Sequence, residues 1–107
     1  MKIADSIHSI PIRLTSERWV HIVENHDDLA GKYYDVLETI VDPDLVMEGK
    51  NEEFLAVRRQ KPLSLVVVYR EMTASDGFVV TAFQTSKLKQ LIRTRKILWN
   101  KQRSKKH

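Results

Sequence analysis

The sequence predicts an α+β fold in which N-terminal helices pack on one face of a four- to five-stranded antiparallel sheet, followed by a C-terminal helix and a basic tail. Apolar residues recur with a helical period over 15–41, and the period then changes to two over 45–83. The chain has 107 residues, 42% of them hydrophobic, and only three Gly and three Pro. We therefore expect a single domain at 10–100, an N-terminal extension at 1–9 and a tail at 101–107.

The first predicted elements are an edge strand and a helix. Residues 10–14 alternate apolar and other side chains, and Pro11 suits an edge strand because it has no N–H to donate to a neighbour. Thr15 is a typical N-cap, and Glu17 follows in the first turn, where the helix dipole favours an anion. The helix should continue to about residue 25, because its apolar stripe comprises Trp19, Ile22, Val23 and His26.

Two further helices are predicted. Residues 33–41 place apolar side chains at i, i+3, i+4, i+7 and i+8, and Pro43 ends the pattern. The C-terminal helix should begin near Thr85 or Ser86, which are suitable caps, and turn Leu88, Leu91 and Ile92 towards the core.

Between these helices, the period of two predicts an antiparallel meander with strands at 45–47, 54–58, 63–69 and 78–83. Residues 63–69 are apolar on both faces and rich in β-branched side chains, so they should form the central strand. The turn into the last strand is predicted at residues 74–77, because an Asp-Gly pair favours tight hairpin turns.

The charge distribution indicates a polyanionic partner. Residues 1–76 carry nine basic and fourteen acidic side chains, a net charge of −5, whereas 77–107 carry nine basic and no acidic ones. Nucleic acid is the commonest partner of such a basic surface. A solvated tail at 101–107 is the alternative for the last residues. The predicted nucleic-acid contacts are Lys61, Arg70, Lys87, Lys89, Arg93, Arg95 and Lys96.

Several classes of chemistry lack the residues that they need. The absence of Cys excludes disulfides and thiolate chemistry, and no apolar run reaches the ~18 residues of a membrane-spanning helix. His21 and His26 are five residues apart and so do not match the i, i+4 spacing of a helical zinc site. Glycine-rich phosphate loops are absent as well. We therefore predict no metal, no cofactor and a cytoplasmic protein that does not contact the membrane.

Imidazole and guanidinium groups could cleave RNA without a metal. A base takes the 2′-hydroxyl proton, cations stabilise the phosphorane, and an acid protonates the leaving 5′-oxygen. His26 ends an apolar stripe and could serve as acid or base, although it could equally cap its helix. Arg58 and Arg59 should point to opposite faces of their strand, but the alternation does not decide which face each occupies.

Several segments resemble small prokaryotic and phage-borne domains of the barnase–EndoU–colicin–RelE nuclease superfamily. They are 13–22 with His26, 36–40 with Pro43 and Asp44, 78–83 and 96–99. The resemblance covers about residues 12–99. It implies helices on a four-stranded antiparallel sheet and a metal-independent ribonuclease, in many members a toxin held inactive by a partner protein.

The resemblance implies a site on the open sheet surface beside the first helices. His21, His26, Arg58 and Thr81 match polar positions of the family. We expect His26 to be the general base or acid, His21 a weaker second, Arg58 the group that stabilises the phosphorane, and Thr81 a group that positions the RNA.

The expected function is therefore an endoribonuclease of a toxin–antitoxin module. RNA is the expected substrate, an acidic antitoxin or inhibitor protein is a further partner, and the ribosome is a third. Two alternatives stand beside it. One is a non-catalytic nucleic-acid-binding module that uses the basic C-terminal third, and the other is a protein-interaction domain that uses the same surface.

Overall fold

The computed structural model describes residues 2–101, which form one seven-stranded mixed sheet with three α-helices. The helices are α1 (Ser16–Asn25), α2 (Tyr33–Val41) and α3 (Leu88–Arg93), and a 3₁₀ turn at Asp27–Leu29 follows α1. The strands are β1 (Lys2–Asp5), β2 (Pro11–Leu14), β3 (Leu45–Glu48), β4 (Glu53–Arg58), β5 (Ser64–Thr73), β6 (Asp76–Thr85) and β7 (Ile97–Asn100). Their order across the sheet is β1-β2-β6-β5-β4-β3-β7.

The chain is an α+β protein, but the predicted architecture of a four- to five-stranded antiparallel sheet with a C-terminal helix is wrong. Strand β1, in the stretch predicted to be an extension, pairs antiparallel with β2 and buries only Ala4, so its apolar pattern is weak. Strand β7 follows α3 and pairs antiparallel with β3, so the helix is not the last element. Apart from Lys101, the predicted tail lies outside the described residues.

The sheet is mixed because β2 lies parallel to β6, with Ile12 opposite Gly77 and Arg13 opposite Phe78. A side chain at position 77 would collide with the carbonyl oxygen of Arg70 and lie 2.6 Å from the Ile12 Cδ1. Gly77 is therefore required for the close approach of β2. The hairpin turn predicted at 74–77 is present, but it falls at Ala74–Ser75 and not at the Asp-Gly pair, because Asp76 already pairs with Thr73.

Both faces of the sheet are covered, so the prediction of helices on a single face is wrong as well. Side chains alternate along β5: Leu65, Val67 and Tyr69 belong to the core beneath α1 and α2. Val66 and Val68 belong to a second core. Leu88, Leu91 and Ile92 of α3 pack against that second core.

The two N-terminal helices occupy the predicted positions. Thr15 caps α1, its hydroxyl accepting a hydrogen bond of 3.1 Å from the backbone N–H of Arg18. Helix α2 spans Tyr33–Val41 and buries Val36 and Ile40. Helix α3 is short and begins at Leu88, after the predicted caps. In the described part of the chain, no helix is long and apolar enough to cross a membrane.

Candidate nucleic-acid interface

An open pocket of about 770 Å³ lies at the end of the sheet where the connection from β4 to β5 meets the connection from β6 to α3. The antiparallel pairing of Ser64 with Thr85 joins the two segments. Residues 59–62 and Ser64 form one side of the pocket, and residues 85–90 form the other. The pocket therefore depends on the register of the two longest strands.

Four cationic side chains surround this pocket: Arg59, Lys61, Lys87 and Lys89. All four residues are exposed. Among residues 2–101, none of their side chains lies within 4.0 Å of a carboxylate oxygen, and no Asp or Glu of that range lines the pocket. The positive charge is therefore not neutralised locally, and the pocket attracts anions.

Hydroxyl groups supply the neutral polar part of the pocket. Thr85 Oγ1 accepts a hydrogen bond of 2.9 Å from the backbone N–H of Lys87, which fixes the turn before α3. Ser86 is exposed, whereas Ser64 is only 8% exposed. The Ser64 hydroxyl makes no hydrogen bond to any residue of the described chain, so it is available to a ligand in the pocket.

Strand alternation separates Arg58 from Arg59. Arg58 lies opposite Leu65 of the core beneath α1 and α2, and its guanidinium donates to Glu38 Oε1 at 3.3 Å. Arg59 leaves the strand on the other side and lines the pocket, while its backbone N–H donates to Asp44 Oδ2 at 2.6 Å. The sequence left this choice open, and the structure gives the free guanidinium to Arg59.

Of the predicted nucleic-acid contacts, Lys61, Lys87 and Lys89 meet at the pocket. The other four lie elsewhere. Arg93 is exposed at the end of α3, and Arg95 follows it with a buried Nε that has no partner among the described residues. The carbonyl of Lys96 accepts from the N–H of Glu48. Arg70 lies about 20 Å from Ser64 along β5.

Of the predicted catalytic histidines, His26 lies beside the strand that leads to the pocket. It is the half-buried C-cap residue of α1, and its backbone N–H donates to the Ile22 carbonyl at 2.8 Å. Its ring centroid lies 6.4 Å from that of Phe83, two residues before Thr85 on β6. His21 is exposed, with its Nδ1 3.7 Å from Glu24 Oε1.

The remaining two predicted catalytic residues lie on opposite faces of the sheet. Arg58 faces α2, where Glu38 and Asp42 accept its hydrogen bonds. Thr81 lies opposite Val68, whose side chain belongs to the core beneath α3. The structure therefore does not bring Arg58 and Thr81 together. An active site that uses both residues has no basis in this arrangement.

A second polar cluster, at the opposite end of the sheet, was not predicted. Glu71 is the acceptor at its centre, with Ser6 Oγ at 2.6 Å and His8 Nδ1 at 2.9 Å. The Glu71 side chain is only 10% exposed and that of His8 is 50% exposed. The hydroxyl of Tyr69 is buried with no partner among residues 2–101, and burial, with the charge of Glu71 second, raises the pKa of Tyr69.

The partners in this cluster are more than sixty residues apart in sequence, so no local pattern could have predicted it. A weak sequence signal could have identified Arg59 and Ser64 as pocket residues, since both flank the Lys61-Pro62 turn between two predicted strands.

No group of three or more His, Asp and Glu side chains within 2–101 could hold a metal ion.

The chain was compared with protein-family models, with curated proteins and with solved structures. None of the three comparisons gave a match.

Proposed function

We propose that the protein binds RNA through its phosphates at the pocket formed by Arg59, Lys61, Lys87 and Lys89. The observation that carries the proposal is the convergence of four cations without a neutralising carboxylate among the described residues. Neither sequence segment alone supplies the site, because the pairing of β5 with β6 brings the two pairs of cations together.

The energetics of such binding come largely from counterions. Each phosphate that a Lys or Arg neutralises releases condensed cations, and the logarithm of the affinity falls with the logarithm of the salt concentration by about 0.7 per contact for a single strand. Four contacts at the pocket predict a slope of about −2.8. Arg93 on the exposed side of α3 can add to this value.

A binding titration over a range of salt concentrations tests the proposal. The probe is a fluorescently labelled single-stranded RNA, and the variant is Lys87→Gln combined with Lys89→Gln. Both side chains are exposed and unpaired in the described chain, so the fold should be unaffected. The slope should become shallower by about 1.4, and the affinity at low salt should fall.

Lys50→Gln is the matched control, because Lys50 is exposed in the turn between β3 and β4, away from the pocket. It should leave the slope unchanged. An unchanged slope in the double variant as well would contradict the proposed site.

A second candidate function is metal-independent cleavage of the bound RNA. It is favoured by the half-buried His26, whose ring lies beside Phe83 on the strand that leads to the pocket. A cleavage assay in EDTA tests it with His26→Ala and with His8→Ala, at the opposite end of the sheet, as a matched control. Products that end in 2′,3′-cyclic phosphate and disappear only with His26→Ala are the expected result. Equal cleavage by both variants would refute the role of His26.

The cellular context is part of the same proposal. We place the protein in the cytoplasm, where RNA is abundant, and the superfamily resemblance implies an antitoxin or inhibitor as partner. Co-purification of the His-tagged chain with a small acidic protein would support that partner, and recovery of the chain with RNA alone would count against it.

A further inference from the structure

We infer that the pocket receives a terminal phosphate of an RNA strand, a monoester, in preference to an internal phosphodiester. This inference rests on the proposed function and narrows it to a substrate class. Three features of the described residues carry it: the amount of unpaired positive charge, the depth of the Ser64 hydroxyl and the size of the pocket.

The charge of the pocket exceeds the requirement of one diester. An internal phosphodiester carries a single negative charge and has two free oxygens. A phosphate monoester carries −1.5 to −2 at neutral pH and has three acceptor oxygens. Two of the four cations can neutralise a monoester, and the other two remain for the phosphates that follow it in the strand; no carboxylate in 2–101 lines the pocket. Arg59 can also fork onto two oxygens of the monoester.

The polar residues of the pocket differ in how far they are buried. The four cationic residues are exposed and stand around the opening, whereas Ser64 is more than nine-tenths buried and yet lines the pocket. Its hydroxyl has no partner in the described chain and is accessible from the pocket, so it can form a hydrogen bond with a ligand oxygen. A terminal phosphate of an RNA strand can bring an oxygen to Ser64. An internal phosphate is less able to reach it, because the RNA chain continues on both of its sides.

The size of the pocket suits one nucleotide. A volume of about 770 Å³ falls within the range of ~300–1,000 Å³ that is typical of sites for small molecules. Leu88 and Pro62 give part of the wall an apolar character. A sugar or base attached to the phosphate can rest against these two side chains.

Calorimetric titration with four probes tests the inference. Three are unlabelled oligoribonucleotides of one sequence that carry a 5′-phosphate, a 3′-phosphate or no terminal phosphate, and the fourth is inorganic phosphate. One of the phosphorylated strands should bind at least tenfold more tightly than the unphosphorylated strand. Inorganic phosphate should bind more weakly than that strand, because it lacks the nucleotide.

Two variants and a pH series identify the groups responsible. Ser64→Ala should remove most of the preference for the phosphorylated strand and leave the affinity for the unphosphorylated strand unchanged. Ser75→Ala, in the exposed turn at the other end of the sheet, is the control and should change neither. The preference should also decline below about pH 6, where the monoester takes up its second proton.

The outcomes separate this inference from the proposed function. Equal affinity for all three strands, with a salt slope that still depends on Lys87 and Lys89, would overturn the inference and leave RNA binding intact. Inorganic phosphate that binds as tightly as the phosphorylated strand would overturn the assignment to an RNA end. Failure of every strand to bind would overturn both proposals.

Discussion

Arg58 and Arg59 are adjacent in the chain but serve opposite faces of the sheet. The side chain of Arg58 is 22% exposed, and its guanidinium donates to Glu38 Oε1 and to the Asp42 carbonyl, at 3.3 and 3.1 Å. Arg59 is exposed and lines the basic pocket. One residue therefore ties β4 to α2, and the other is free to meet a ligand.

This separation predicts that Arg58→Ala will affect the stability of the protein and that Arg59→Ala will affect RNA binding. Arg58→Ala should lower the free energy of unfolding by about 1 kcal/mol, because it removes hydrogen bonds to a carboxylate and a carbonyl, and it should leave the salt slope of RNA binding unchanged. Arg59→Ala should leave stability unchanged and make that slope shallower by about 0.7. Urea denaturation and anisotropy titrations measure the two quantities. The reverse pattern would contradict the assignment of the faces.

The ion pair between Arg13 and Asp76 predicts a loss of stability in acid. Arg13 Nε lies 2.8 Å from Asp76 Oδ1, and this hydrogen bond lowers the pKa of Asp76 below its ordinary value of 3.8. A carboxyl whose pKa is lower in the folded state stabilises the fold above its unfolded pKa and loses that effect as the pH falls through the folded pKa.

Asp76→Asn is the variant for this pH dependence. The gap in urea midpoint between the protein and Asp76→Asn should be constant from pH 7 to pH 5 and should close below about pH 4. Asp5→Asn serves as the control, because Asp5 is exposed and forms no ion pair in the described chain. A gap that persists at pH 2 would show that the carboxylate charge is not responsible.

Tyr33 and Tyr69 should differ in how loss of the hydroxyl changes the stability of the protein. Tyr33 Oη donates to the Leu14 carbonyl at 3.1 Å, so Tyr33→Phe should destabilise the protein by about 1 kcal/mol. The Tyr69 hydroxyl is buried with no partner among residues 2–101, so Tyr69→Phe should be neutral or stabilising by up to about 1 kcal/mol. Each variant controls for the other in thermal unfolding. Destabilisation by Tyr69→Phe would show that its hydroxyl is bonded in solution.

Gly77→Ala should destabilise the protein by about 2 kcal/mol, since an added Cβ would overlap the Arg70 carbonyl oxygen and the Ile12 side chain in a packed site. Gly31→Ala is a comparison variant in which the loss of stability has a different cause. Gly31 has φ +84° and open space around it, so its cost of about 1 kcal/mol comes from backbone strain alone. Equal unfolding midpoints for Gly77→Ala and the unaltered protein would contradict the close approach of β2.

Local patterns in the sequence predict local structure well in this chain. The cap at Thr15 and the apolar stripe of α2 depend on neighbours within a few residues, and both helices appear where the pattern places them. The parallel pairing of β2 with β6 depends instead on contacts more than sixty residues apart, such as Arg13 with Asp76. Periodicity cannot encode such a pairing, because parallel and antiparallel neighbours show the same alternation.

In the candidate site, too, some features could be predicted from the sequence and others depend on distant contacts in the fold. The sequence predicted Lys61, Lys87 and Lys89 as nucleic-acid contacts, the last two from the charge asymmetry, and these three residues line the pocket. It did not separate them from Arg70 or Lys96, because net charge carries no information on which end of a strand a residue occupies. The face of Arg59 and the depth of Ser64 follow from strand register, which is a property of the assembled sheet.

The parallel placement of β2 also sets an order for synthesis. Strand β2 joins the sheet only through β6, and β6 ends at Thr85. Strands β1 and β2 therefore have no strand of the main sheet to pair with until β6 has left the ribosome, whereas α2 can already pack against β4 and β5. The β1-β2 hairpin must wait for β6, which joins it to β5, β4 and β3 in one sheet.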